Sequence, residues 1–277
     1  MLKCYTITSL KSLQQMPALD VCQFTLNSRM FPAKRKTVEL LKSLSKTCKT
    51  KVIVHYDFIY IASRFGMFSE RVQSEIINEV VDILQYASFD NRILGIVMHT
   101  DYPVKSSVVQ DPTPDTILSE YSSSIWNSDI VNIITTHLDN IVEWNLQQFC
   151  TALESALEYH GIKTPIRVYL ENTTKVGPND LGSFDNLLKF VTNHNFPHIG
   201  LCFDSEHHFA VTGEFVTNVS HIDVPLIYHL NTIPEEVNPF SKKDRHSFTT
   251  LTECSVNTLK KYVALTEHLE KLHIPYV

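Results

Sequence analysis

The chain has no Cys-x-x-Cys pair: its six cysteines, Cys4, Cys22, Cys48, Cys150, Cys202 and Cys254, are scattered over 277 residues. This spacing excludes a sulfur-ligated structural zinc and a dense disulfide framework, and it fits buried thiols in a reducing compartment. The sequence also has no uninterrupted run of about 18 apolar residues, and the opening "MLKCYTITSLKSL" lacks a long apolar h-region. The expectation is an intracellular protein, cytoplasmic or nuclear, neither secreted nor membrane-spanning. An excess of basic residues is missing too. The net charge of −6 argues against nucleic-acid binding through a broad basic coat. It leaves open a site where bound divalent cations reverse the local sign.

What is present is a repeating pattern. Hydrophobic residues make up 43% and charged ones 19%, a balance that suits a soluble chain with a large core. The runs "MLKCYTI", "ALDVCQFTL", "KVIVHYD", "RILGIVMH", "PIRVYLE", "HIGLCFD", "VPLIYHL" and "HIPYV" read as eight strands. Several are apolar throughout, as expected of parallel strands covered on both faces. Helical spacing separates many of them: Val38, Leu41 and Leu44; Val72, Ile76, Val80 and Ile83; Leu146, Phe149, Leu153 and Leu157, closed by Gly161; Phe184, Leu187, Leu188 and Val191; Val256, Leu259 and Val263. Strand and helix taking turns predicts an α/β fold, a parallel (β/α)8 TIM-type barrel forming a single domain over 1–277. Residues 101–138, rich in Pro, Ser and Asp, read as an insertion after the fourth strand.

The candidate site lies at the strand ends. His55 closes "KVIVH", His99 closes "GIVMH", Glu171 closes "VYLE", Asp204 closes "GLCFD" and His229 closes "LIYH". One such residue alone is more often a hydrogen-bonded structural group or a helix cap. Five on five strands of a parallel barrel ring one mouth, which is where barrel active sites lie. His207, one turn beyond Asp204, and the pair Asp244 and His246 in "DRH" extend the set. Imidazoles mixed with carboxylates suit zinc or similar ions, and the carboxylates can bridge neighbouring ions.

"VHYDFIY", "GIVMH", "YLENTTKVG", "GLCFDSEHHFAVTG", "YHLN" and "KKDRH" occur in this order along most of the chain. In these motifs the chain resembles the endonuclease IV family of apurinic/apyrimidinic endonucleases. The resemblance implies a xylose-isomerase-like barrel, up to three zinc ions (manganese is an alternative), and double-stranded DNA with an abasic site as partner. It implies His55 and His99 on a first ion, bridged by the catalytic Glu171 to a second ion held by Asp204 and His229. His207, Asp244 and His246 are implied to hold a third, whereas His208 matches no ligand. Arg29, Phe58 and Ile59 match residues that enter the minor groove at the lesion; the alternative is that Phe58 and Ile59 are core residues and Arg29 a solvated charge. The implied reaction is hydrolysis of the phosphodiester 5′ to the abasic site.

The family's ninth ligand, a glutamate of the last strand, finds no counterpart by alignment, and Glu253 better matches a different family glutamate. Two alternatives therefore stand beside the nuclease. One is a catalytically degenerate barrel that binds damaged DNA or a protein partner without cutting. The other is a xylose-isomerase-type sugar isomerase or epimerase.

Overall fold

The computed structural model describes residues 6–7, 21–26, 38–39, 41–42, 51–56, 70–99, 138–173, 181–216, 218–230 and 255–276. Residues 101–137 of the expected insertion, and Arg29, Phe58, Ile59, Asp244 and His246, lie outside the described residues.

Seven strands form one sheet in sequential order: β1 (Thr6–Ile7), β2 (Val21–Leu26), β3 (Lys51–Tyr56), β4 (Ile93–His99), β5 (Val168–Glu171), β6 (Ile199–Asp204) and β7 (Leu226–His229). Every neighbouring pair is parallel. Parallel neighbours need crossovers, and the described ones are helices: α1 (Glu70–Ala87) before β4, α2 (Leu138–Tyr159) before β5, α3 (Phe184–His194) before β6 and α4 (Ser205–Thr212) before β7. A fifth helix, α5 (Val256–Lys271), leads to Tyr276, which makes a single parallel bridge to Tyr228 of β7. The run expected as the eighth strand thus lies beside the seventh, with Tyr228 N–H donating to the Pro275 carbonyl at 2.9 Å.

Alternation along each strand divides the core in two. Val52, Val54, Ile96, Met98, Val168, Leu170, Leu201, Phe203 and Tyr228 face the helices and join Ile76, Val80, Leu84, Phe149, Leu153 and Leu187. Ile53, Val97, Tyr169, Cys202 and Ile227 form a separate inner cluster. Two residues further along each of the same five strands stand His55, His99, Glu171, Asp204 and His229. The inner cluster is therefore the apolar floor of the polar mouth.

Tyr169 spans this floor because its neighbours are glycines. A Cβ on Gly95 would collide with the Tyr169 ring, and one on Gly200 would meet the ring at 2.8 Å and the Pro225 carbonyl oxygen at 2.7 Å. Neither glycine has a positive φ, so space and not backbone freedom requires them.

Helix ends follow local chemistry. Gly161 (φ 63°) ends α2 in a paired cap, with Ile162 N–H donating to Leu157 O and Gly161 N–H to Glu158 O. Ser183 caps α3, and Asn195, in the left-handed region at φ 47°, ends it. The apolar spacing in the last helix misplaces its inner face. Val256 and Val263 are exposed, at 68% and 45%, and α5 instead buries Thr258, Tyr262, Leu265 and Leu269, which recur at four, three and four residues on one side. No described helix is long and apolar enough to cross a membrane.

Candidate metal centre

Six of the residues named from sequence come together at the C-terminal ends of β3 to β7. The sheet register fixes the starting points, since His99 pairs with Glu171 and Asp204 pairs with His229 in adjacent strands. Glu171 is central and has only 2% of its side chain exposed. Its Oε2 lies 2.9 Å from Nε2 of His55 and 2.9 Å from Nε2 of His99, while its Oε1 lies 2.9 Å from Nδ1 of His229. Asp204 Oδ2 stands 3.7 Å from His229 Nδ1. The rings of His55 and His99 meet edge to face at 4.9 Å, and those of His55 and His229 stack at 5.6 Å.

Asp204 works in two directions. It ends β6 and caps α4, its Oδ1 accepting from the His207 N–H at 2.8 Å, so strand end and helix start are one unit. This turn sets His207 beside the cluster, with Nδ1 3.7 Å from Glu171 Oε1. That contact is not its hydrogen bond. Nδ1 lies 2.8 Å from the Asn172 carbonyl oxygen, which can only accept, so Nδ1 carries the proton there. His208 turns elsewhere, its ring packing on Phe203 at 5.2 Å and on Phe184 at 6.4 Å.

The electrostatics reflect burial against pairing. Burial opposes a charge on Glu171, but the imidazoles of His99, His229 and His55 outweigh it and hold the carboxyl well below the usual range. Asp204 is lowered for the same reason: burial opposes its charge, and His207 and His229 prevail. Burial lowers His55, and its hydrogen bond to Glu171 offsets only part of the shift. Burial also opposes charge on His229, yet the Cys202 sulfur, Glu171 and Asp204 raise its pKa well above the usual value. The Cys202 thiol is itself pushed up to about 12 by burial, which leaves Glu171 and Asp204 as the anionic partners of His229.

The donor set fits a metal. His55, Glu171 and His229 form one group whose ligand atoms all lie within 4.8 Å of one another, and Glu171, Asp204 and His207 form a second. Two donors each ~2.0–2.1 Å from a shared ion stand about 2.9 Å apart at a right angle and about 3.4 Å apart at a tetrahedral one. The 2.9 Å and 3.7 Å separations around Glu171 and Asp204 bracket those values. The ring nitrogens that face Glu171 are His55 Nε2 and His229 Nδ1, whereas the opposite ones, His55 Nδ1 and His229 Nε2, are buried with no hydrogen-bond partner among the described residues. The cluster could hold a metal ion, with Glu171 common to both groups.

The second part of the chain matches a protein-family model described as xylose isomerase-like TIM barrel over residues 125–250, a span that contains Glu171, Asp204, His207, His229, Asp244 and His246. Solved structures cover nearly the whole chain. A D-tagatose 3-epimerase-like protein aligns with a TM-score of 0.58 at 14% identity, covering 100% of this chain and 89% of its own. The chain has the xylose isomerase-like TIM-barrel fold. Other proteins that align with this barrel are the 3-keto-D-glucoside 4-epimerase of E. coli (TM-score 0.52, 12% identity, 96% of this chain and 83% of that one) and endonuclease IV from Thermus thermophilus (TM-score 0.48, 15% identity, 99% and 88%). At 14% and 12% identity the likeness to the two epimerase-named structures shows the fold alone. No curated protein sequence matches significantly.

Asn172 is the residue of the site that sequence reading passed over. Its amide bridges to the backbone of Asp204, and its carbonyl receives His207. The letters "LENT" were visible, but nothing in the local sequence says that the partner of Asn172 lies 32 residues away.

Proposed function

We propose that the protein is a metal-dependent endonuclease that hydrolyses the phosphodiester 5′ to an abasic site in double-stranded DNA. The observation that carries this reading is the position of Glu171, whose Oε2 faces His55 and His99 while Oε1 faces His229, with Asp204 beside it. A carboxylate with imidazoles on both oxygens suits a shared pair of ions. When bound, such a pair about 3.5–4 Å apart lowers the pKa of a water and stabilises the attacking and leaving oxygens of an in-line displacement.

The residues divide the work. His55 and His99 would hold one ion, Asp204 and His229 the other, and Glu171 both. His207, with Asp244 and His246 of "DRH", would hold a third that orients a phosphate oxygen. Isomerising a small sugar has no need of that third group. The apolar floor of Ile53, Val97, Tyr169, Cys202 and Ile227 closes the site from below, so the substrate enters from the strand-end face. Arg29, Phe58 and Ile59 would enter the minor groove, where an apolar wedge costs less beside a missing base.

A second reading, a sugar epimerase, is favoured by the solved barrels of D-tagatose 3-epimerase-like protein and 3-keto-D-glucoside 4-epimerase. An end-labelled duplex with one synthetic abasic site distinguishes the two. Metal-dependent cleavage leaving a 3′-hydroxyl on the 5′ side of the lesion supports the nuclease. Interconversion of free ketoses with the duplex intact supports the epimerase, and tight binding of the intact duplex with neither reaction supports a non-cutting binder.

A further inference from the structure

We infer that Asn172 is a positioning residue that locks Asp204 and His207 into metal-binding geometry and selects Nε2 as the ligand atom of His207. The inference rests on the reading of these side chains as metal ligands and adds a residue that acts through them.

The last β5–β6 register pair is Glu171 with Cys202. One step further, Asn172 N–H still reaches Cys202 O, but only at 3.4 Å, and the ladder ends. The Asn172 side chain takes over from there. Its Oδ1 accepts from the Asp204 N–H at 2.7 Å and its Nδ2 donates to the Asp204 carbonyl at 3.0 Å. The carboxamide therefore replaces a peptide unit of a neighbouring strand, serving both backbone groups of one residue. The Asp204 N–H can only donate, so the orientation of the amide is fixed by its partners. Both residues are buried, Asn172 at 1% exposure and Asp204 at 3%, where an unmade bond is costly.

The main chain of the same residue does the second task. The Asn172 carbonyl oxygen accepts from His207 Nδ1 at 2.8 Å, which holds the proton on Nδ1 and leaves Nε2 as the nitrogen able to bind an ion. Asp204 Oδ1 accepts from the His207 N–H at 2.8 Å, closing a ring of contacts from Asn172 to Asp204 to His207 and back to Asn172. Glu171 precedes Asn172 in the chain, so one dipeptide sets both the carboxylate common to the two ligand groups and the frame of the ligands on β6 and α4. The residues nearest in size or chemistry do not fit. Aspartate lacks the donor for the Asp204 carbonyl, leucine lacks both partners, and glutamine is one methylene too long.

The test compares wild type with Asn172→Asp and Asn172→Ala, reading zinc affinity by competition with a chromophoric chelator and folding by circular dichroism of the same samples. Partners that orient metal ligands typically contribute about 10–100-fold in affinity, and a loss of that size is expected in variants that remain folded. Affinity within twofold of wild type in a folded variant overturns the inference, because a merely structural role would lower the melting temperature alone. Histidine-selective 15N NMR of zinc-loaded wild type tests it without any substitution. His207 should show a protonated Nδ1 and a coordinated Nε2, and the reverse pattern overturns the assignment even if neither variant folds. Wild type that binds no ion removes the metal reading and this inference together, whereas wild-type binding unaffected by the substitutions removes the inference alone.

Discussion

Nε2 of His55 lies 2.9 Å from Oε2 of Glu171, although 116 residues separate the two. The same oxygen stands 2.9 Å from Nε2 of His99, so one buried atom collects two imidazoles from two other strands. In Glu171→Gln an amide takes the place of that carboxylate and cannot offer two charged acceptors to three rings. The variant should keep its circular dichroism and lose more than the roughly 10–100-fold in zinc affinity typical of outer-shell partners. Zinc affinity equal to wild type in a chelator competition would show that Glu171 is not a ligand.

Acid should act on the same group. Glu171 and Asp204 have folded pKa values below their ordinary ones, chiefly because neighbouring imidazoles overcome the cost of burial. Carboxyls shifted in this direction stabilise the fold above their unfolded values, about 3.9 for Asp and 4.3 for Glu, and the contribution is lost as pH falls through the folded values. His229 has the opposite sign, because its raised pKa makes its contribution complete below about 6.5 and removes it as pH rises through the folded value. The metal-free protein should therefore melt at lower temperature on acidification below about pH 4, and Glu171→Gln should flatten that dependence. Zinc should leave at a higher pH than the one at which the carboxyls titrate, because imidazole ligands must be unprotonated. Thermal melts and zinc content across a pH series check both, and a carboxyl variant with the wild-type acid dependence would contradict the assignment.

Below the site, Gly200→Ala should destabilise by roughly 1–3 kcal/mol, the usual range for overpacking. The new methyl would meet the Pro225 carbonyl oxygen at 2.7 Å, which is main chain, as well as the Tyr169 ring at 2.8 Å. Gly95→Ala collides with the same ring, with main chain no nearer than Arg167 O at 3.2 Å. Tyr169→Leu should therefore rescue Gly95→Ala more fully than Gly200→Ala. Denaturant melts of the singles and doubles measure this, and equal rescue at both glycines would contradict the packing described.

The strand ends were legible in sequence because the signal is local: an apolar run that stops on His, Asp or Glu names both the strand and the inward residue at its tip. Five such tips converge because parallel sequential order puts them all at one end of the sheet. The supports were not legible. Asn172 looks like an ordinary residue after a strand, and the roles of Gly95 and Gly200 depend on an aromatic ring carried by the strand between theirs. In α5, Thr258 reads as surface yet is 3% exposed, and the apolar Val256 faces out, because the position of the barrel wall decides the inner face. Fold resemblance did not narrow the chemistry, since at 12% and 14% identity the aligned barrels show the fold alone.

In the proposed function, Glu171 organises a metal site that cuts DNA at abasic lesions. The most direct measurement is cleavage of a duplex carrying one abasic site by wild type and Glu171→Gln, with metal content determined on the same samples. The prediction is metal-dependent incision 5′ to the lesion by wild type with at least two ions per chain, and loss of both incision and bound metal in the variant. An intact duplex with wild-type protein that carries its full complement of metal would contradict it.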